Sequence, residues 1–490
     1  MITDLQRAFD TLTAKSAVFT KLWAYYEGNQ PLVYTNDRLR EVFQYINARF
    51  SENWCAVVID SERERIRLKE FSLPQMEQPE AAPTLPGALP PSAPQQPAEN
   101  PIERKLNDLF RDTELNLDAD DVHLAALVCG ESYVFAWKDD EVGIEAYYHD
   151  PRMAHVFYDP EHPRQKLFAA KWWIGEDDER RYLNLYYADR IEYYYSIQKA
   201  FAFSTWKGLR EFKPTEENPF GKVPVFHFRT DRRKTTSRLD NVIEPQNVIN
   251  KLLSDMMVAA EFGAFRQRYV ISAAGIQTLK NAPNEIWDLP AGDGPGQQTS
   301  AGEFSATDLG NYLGAMDKTS SAIGVISRTP KHYFYAQGGD PSGEALIALE
   351  APLNKKAQSA IDRFAPTWAE LASFLLELDG TEGVQKSDIT PIYDEPATVQ
   401  PRTEAEIRQM DVATGIPLIT TLRRSGWTES EIEQMQEDKA DAQAQAGAVV
   451  PGAKLQPNDM SAVMDNLTRL GLTDLLPEGA DNDPASPSAR

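Results

Sequence analysis

The chain has 490 residues, with 50 Lys plus Arg against 74 Asp plus Glu and a formal charge of −24. Hydrophobic residues make up 42% and charged residues 25%, the balance of a soluble globular protein, and the length predicts about three domains. So acidic a chain cannot hold nucleic acid by bulk charge, because that binding rests on Lys and Arg displacing counterions from phosphates. Any DNA contact must be local. Cys55 and Cys129 offer no CxxC pair and no disulfide framework. The start, MITDLQRAFDTLTAKSAVF, lacks a basic stretch followed by a long apolar run, so no signal peptide is expected. No stretch approaches the roughly 18 consecutive apolar residues of a membrane span. The expectation is a soluble, cytoplasmically made, multi-domain protein.

In chain order, the first seventy residues read as helical. Val18, Leu22 and Tyr25 or Tyr26 fall at helical spacing, and Gly28 closes that helix with a backbone free to take positive φ. Asn36 can cap a second helix carrying Leu39, Val42, Phe43 and Ile46. From Trp54 to Lys69, alternation of Val57, Ile59, Ile66 and Leu68 predicts a hairpin. Nine of the 28 residues from Pro74 to Pro101 are proline, which predicts a flexible linker or loop. DADDVHLAALVCG at 118–130 is an acidic helix start with an apolar run. Residues 131–230 hold 23 of the 49 aromatics, and alternation of Ile191, Tyr193, Tyr195 and Ile197 predicts a half-buried strand in a mostly antiparallel β domain.

The third block is helical again. Asp240 can cap a helix carrying Val242, Ile249, Leu252, Met256 and Ala260. Ser305 to Asp308 offers a capping-box-like start for another, with Leu309, Tyr312, Leu313 and Met316 on one face. Between them, 266–303 reads as short strands and Gly-rich turns. A longer helix is predicted from Asp340-Pro341, with a stripe from Leu346 to Leu378 at a mean step of about 3.6 residues and kinks at Pro352 and Pro366. Residues 380–400 read as extended, 402–413 and 428–440 as helical, and the last fifty as mostly disordered.

Catalytic motifs are scarce: there is no GxxxxGK[ST], no GxSxG and no HExxH. Asp118, Asp120 and Asp121 resemble a metal-binding cluster, but carboxylates at a helix start ordinarily serve the helix dipole. His149, Asp150, His155, Asp159 and His162 form the one His/Asp grouping, at irregular spacing interrupted by proline, which reads as turn and strand residues. Two basic patches stand out. RTDRRKTTSR at 229–238 includes Arg232, Arg233, Lys234 and Arg238. RTPKHYFYAQGGD at 328–340 combines Arg328 and Lys331 with His332, Tyr333 and Tyr335 ahead of Gly338 and Gly339. Charge with aromatics on a loop suits a phosphate backbone; an ordinary surface loop is the competing reading.

Three segments in order, YYEGNQPL at 25–32, LDNVIEPQNVINKLLSDMMVAAEF at 239–262 and PSGEALIALEAPLNKKA at 341–357, resemble the portal (connector) proteins of tailed phages, in particular those of long-tailed phages of actinobacteria. The LLSDM core of the middle segment is the most specific part, and the Pro-rich stretch looks like an insertion. The resemblance implies an α+β subunit with a β-rich wing, two stem helices, a small α/β clip, a long kinked helix and a helical crown. On the chain this gives N-terminal wing helices at 1–73, the Pro-rich insertion at 74–101, the β-rich wing at 102–238, stem helices at 239–265 and 304–327 around a clip at 266–303, and a tunnel loop at 328–340. The long helix and return to the wing take 341–400, the crown 401–440 and a tail 441–490.

The implied function is a ring, usually of twelve subunits, at one capsid vertex, through which DNA is packaged and ejected. The implied partners are further copies of the chain, the terminase motor, the head-tail adaptor, the major capsid and scaffolding proteins, and double-stranded DNA contacted without sequence specificity. Arg328, Lys331, His332, Tyr333 and Tyr335 become the DNA-facing residues. No catalytic role, cofactor, metal or membrane is implied, and the location is the virion after assembly in the host cytoplasm. The reading from another class is a monomeric, non-enzymatic scaffold with a Pro-rich binding arm.

Overall fold

Helix α1 (Asp4–Tyr26) begins at Thr3, whose hydroxyl accepts from the Gln6 amide, and closes at Gly28, which takes φ 76° as expected. Its buried residues include Phe9, Leu12, Phe19, Leu22 and Tyr25 at helical spacing; Val18 lies off that face and is exposed. In place of the hairpin expected from Trp54 to Lys69 stands helix α2 (Trp54–Arg63). Asn53 caps it by accepting from the Ala56 amide at 3.3 Å, and Cys55, Val58, Ile59 and Glu62 share one buried face. Ile59 thus belongs to a helical face with Cys55, Val58 and Glu62 while Val57 lies off it, so their alternation is not that of a strand. Only the end of this stretch, β1 (Leu68–Ser72), is extended.

The computed structural model describes residues 3–30, 52–74, 100–139, 141–202, 204–264, 268–271, 287, 299–305, 308–334, 343–397, 401–425, 427, 431–432, 434–436 and 438–439. The predicted helix at 36–46, most of the Pro-rich stretch, the Gly-rich turn before Thr299, the helix start at Asp340-Pro341 and the tail beyond 440 lie outside them. The chain divides into two units, residues 1–403 and 404–490.

In the first unit, α3 (Pro101–Asp112) and α4 (Leu115–Cys129) lead into the sheets. Gly130 turns α4 into β2 at φ 87°, where a Cβ would meet the Thr236 backbone nitrogen at 2.8 Å, so no side chain fits. Strands β2 (Glu131–Asp139), β3 (Gly143–His149) and β9 (Val225–Arg229) form a three-stranded sheet ordered β3-β2-β9. Strands β4 (Ala154–Tyr158), β5 (Lys166–Ile174), β6 (Arg180–Tyr187), β7 (Arg190–Lys199) and β8 (Leu209–Glu217) form a five-stranded sheet in chain order. All pairings among the described strands are antiparallel. The alternation expected along 191–197 does not hold: Ile191 and Ser196 are buried, whereas Ile197 is 50% exposed. Register shifts against β8 at Ile191/Tyr193 and Tyr193/Tyr194 reverse the phase within the strand.

The long helices follow. α5 (Ile243–Ala264) starts three residues after Asp240, which lies in the preceding turn rather than at the cap; the Val242 and Ile243 amides bond the Leu239 carbonyl there. The antiparallel pair β10 (Arg268–Ile271) and β11 (Ser300–Glu303) then leads to α6 (Gly310–Ser327), which packs against α5. α6 starts later than Ser305, and Asp308 Oδ1 accepts from the Gly310 amide at 2.9 Å. α7 (Gly343–Leu378) runs through Pro352 and Pro366 as one helix. Among the described residues of the expected extended stretch at 380–400, only β12 (Thr390–Tyr393) is a strand, paired with β1.

Phe364, Trp368, Leu371 and Leu375 of α7 pack against α2, α4 and the inner face of the three-stranded sheet, including Phe226 and Phe228. Phe9 and Leu12 of α1 cover Phe157, Phe168 and Leu183 of the five-stranded sheet. Between the two sheets, Tyr133, Phe135, Val156 and Val225 form a third cluster. In the second unit, α8 (Pro401–Ala413) crosses the unit boundary close to the predicted 402–413. A helix absent from the sequence reading, α9 (Leu418–Arg424), follows Pro417. The described residues of 428–440 are helical.

Candidate functional site

At the C-terminus of α6, Arg328 takes φ 60° and the Thr329 amide bonds back to the Gly324 carbonyl at 3.0 Å. A short 3-10 turn, Lys331–Tyr333, comes next, and Phe334 buries its ring edge-on to Trp54 with centroids 5.3 Å apart. Tyr333 accepts from Arg65 Nη2 at 2.8 Å and donates to Glu350 on α7 at 3.4 Å. His332 faces the same Glu350 at 3.8 Å. Lys331 pairs with Asp317 of α6 at 3.2 Å, both partly exposed, an attraction worth only about 0.2–1 kcal/mol. Arg328 is exposed and forms no ion pair among the described residues. Residues 328–334 are therefore an anchored turn that presents Arg328 and, more loosely, Lys331. Tyr335, Gly338 and Gly339 lie outside the described residues.

The helices α5, α6 and α7 expose apolar side chains. Val325 is 80% and Leu313 56% exposed on α6, with Val248 on α5 and Ile347 and Leu349 on α7 also exposed. Three helices carrying such residues need further cover, since large exposed apolar areas mark association surfaces.

The patch at 229–238 divides. Arg232, Arg233 and Lys234 are exposed in the turn after β9. Arg238 is not part of that surface: its guanidinium bonds Glu62 Oε1 at 2.8 and 3.1 Å, and Lys356 of α7 reaches the other Glu62 oxygen at 2.7 Å. The acidic run at the start of α4 is not a ligand set either. Asp118 accepts from the Tyr148 amide at 2.7 Å, and Asp120 is held by Arg63. The Arg63 guanidinium keeps the Asp120 carboxyl below its ordinary value, whereas burial raises that of Asp121. Only Asp118 lies in the first turn, where a carboxylate meets the helix dipole.

The grouping of His149 with His155 and His162 also dissolves. Instead, fully buried Glu131 of β2 gathers Lys15 at 2.6 Å, His155 at 3.7 Å and His227 at 3.4 Å. Lys15 Nζ and the Tyr133 hydroxyl each lie 2.9 Å from His155 Nδ1. Burial pushes the Glu131 carboxyl up, but His155, His227 and Lys15 outweigh it and hold it well below the carboxylate range. Burial lowers His155, takes His227 and His123 down to about 4, and takes His149 down to about 3.

The sign of the linkage follows. Between the ordinary histidine value of 6.5 and about 4, the unfolded chain binds protons at these positions and the folded chain does not. Each such histidine contributes stability that is present above 6.5 and lost as pH falls, at up to about 1.4 kcal/mol per pH unit. Glu131 adds a loss in the same direction below its ordinary value of 4.5. The melting temperature at fixed ionic strength is thus expected to fall steadily from pH 6.5 toward 4.5. A flat profile across that window would contradict burial of neutral imidazoles.

A family model described as phage portal protein, SPP1 Gp6-like, matches residues 12–445. The chain belongs to the phage portal proteins. That makes this portal protein a capsid component of the virion, with a part in genome packaging and in the head-tail connection. Its family is structural rather than enzymatic. No curated protein sequence matches the chain. Among the described residues of the portal protein, no helix is long and apolar enough to cross a membrane, and no group of three His, Cys, Asp or Glu could hold a metal ion. The mixture of helices and antiparallel strands is compatible with the portal fold.

Proposed function

We propose that this portal subunit closes into a ring, of twelve copies in the assembled virion, around a channel that passes double-stranded DNA during packaging and ejection. The observation that carries the ring is the set of exposed apolar side chains on α5, α6 and α7, led by Val325 and Leu313. Neighbouring copies can cover them, and a heterologous contact that closes on rotation makes a ring. In this reading α5 and α6 are the stem, and 266–303 is the clip that meets the terminase motor and later the head-tail adaptor. The two sheets with the N-terminal helices form the wing, α7 connects the tunnel loop back to it, and 401–440 is the crown. Capsid and scaffolding proteins surround the ring, and the quoted segments are similar to portal proteins of long-tailed phages of actinobacteria. Light scattering on the purified chain should give a mass near twelve times 55.0 kDa, with a central hole in negative stain. A monomer at every concentration overturns the ring and favours the scaffold reading.

Arg328 and Lys331 are the proposed DNA contact, through phosphates alone, because a channel for a whole genome must not read sequence. The acidic remainder of the chain repels DNA and keeps it from sticking. Replacing both residues with Ala should reduce packaged or retained DNA while rings still form. Exposed substitutions change stability by less than about 0.5 kcal/mol, so misfolding does not intrude. Normal packaging and retention in the double variant would reject the assignment.

A further inference from the structure

A cleft of about 390 Å³ opens in the first unit where β4, β5 and β9 meet α7. Its walls carry Arg164, Lys166, Arg229, Arg232, Arg363 and Lys386, with Glu370 as the one carboxylate among the lining residues. Acidic residues outnumber basic ones 74 to 50 in the whole chain, so six cations around one acid reverse the prevailing sign. Only Lys166 is neutralised in place, by Glu370 at 2.6 Å; the other five form no ion pair among the described residues. The floor is rigid. Buried His227 accepts from or donates to the Tyr158 hydroxyl at 3.1 Å, and the Arg229 guanidinium lies over the Tyr158 ring at 4.8 Å. Burial lowers the Lys166 ammonium, Glu370 opposes that, and Lys386 and Arg229 add to the lowering. A second concavity continues past Arg232 to Arg233 and Arg7, with Asp231 and Glu131 as its acids.

We infer that this cleft is a binding site for phosphate groups, separate from the turn at 328–334. Several guanidinium groups on one concave wall match phosphate oxygens, since each planar fork can donate two parallel hydrogen bonds. The size lies within the range of small-ligand clefts, so one or two adjacent phosphates fit. They come either from a DNA backbone or from a free oligophosphate. The site goes beyond the channel reading and stands whether or not Arg328 and Lys331 touch DNA.

The test uses the full-length protein as purified, with a labelled short duplex of mixed sequence read by anisotropy at low salt and tripolyphosphate read by calorimetry. Two variants are compared with the parent: Arg229→Ala with Arg363→Ala, and Arg164→Glu with Lys386→Glu. The second changes exposed side chains and guards against a folding defect in the first. Both should weaken phosphate binding by at least about tenfold, and the first should reduce the salt dependence of duplex binding by about two charges. Arg328→Ala with Lys331→Ala should leave tripolyphosphate binding unchanged. Duplex binding that tripolyphosphate displaces identifies a DNA backbone as the source; tripolyphosphate binding alone identifies a free oligophosphate. Failure of both probes to bind, or binding unaffected by the cleft variants, overturns the proposal. So does a cleft that binds decaglutamate while ignoring both phosphates, which would assign it to an acidic protein segment.

Discussion

Trp368→Ala is expected to destabilise the first unit by about 3–5 kcal/mol, the range for emptying a buried aromatic site. Trp368 is fully buried on α7, with the Phe228 ring at 4.8 Å, the Phe110 ring edge-on at 6.0 Å and the His123 ring edge-on at 5.9 Å. Its indole N–H donates to His123 Nε2 at 3.0 Å, so that nitrogen accepts and the neutral ring carries its proton on Nδ1. Alanine removes the packing and orphans Nε2 together. Trp368→Phe keeps most of the volume and loses only the hydrogen bond, for a smaller loss of about 1–3 kcal/mol. Urea unfolding followed by far-ultraviolet circular dichroism separates the two; equal losses would mean that the cavity contributes nothing.

The helix carrying Trp368 was the most legible element of the sequence. Its apolar stripe repeats near 3.6 residues, and from Leu353 to Leu378 the stripe residues are buried as that period requires. At its start, Leu349 is exposed, because periodicity identifies an apolar face without saying what covers it. The stretch from Trp54 to Lys69 was misleading for a different reason. Of its four alternating apolar residues, Val57 and Ile59 lie in the helix and Ile66 and Leu68 beyond it, and the deciding signals were Asn53 as a cap and Cys55, Val58, Ile59 and Glu62 at helical spacing. The Glu131 cluster was illegible because chain proximity grouped His155 with His149 and His162, whereas its partners Lys15 and His227 come from distant elements. The cationic cleft was half visible. Arg232 stood in an evident basic run, but Arg164, Arg363 and Lys386 sit singly in ordinary surroundings and meet only through the packing of α7 on the sheets.

Glu62→Gln is expected to cost about 3–5 kcal/mol, the range for removing one partner of a buried ionic group. Glu62 is fully buried, and its two cations, Arg238 and Lys356, are 20% and 10% exposed. With the carboxylate gone, two like charges face each other across a site that water reaches poorly. Lys356 has a partial escape, because burial already lowers its pKa and it can shed the proton; Arg238 has none. The loss should therefore shrink as pH is raised, a trend that a purely steric defect does not produce. Replacing all three with apolar residues of similar volume, Glu62→Leu with Arg238→Met and Lys356→Leu, should recover most of the stability, since a buried ionic group is often no better than good packing. The three residues join α2, the turn before α5 and the middle of α7, so the group fixes the root of α5 on the rest of the first unit. If that root sets how neighbouring copies meet, Glu62→Gln should also lower the yield of rings at temperatures where the far-ultraviolet signal is still native. Unchanged stability and unchanged ring yield in Glu62→Gln would show that the two cations are content without the carboxylate.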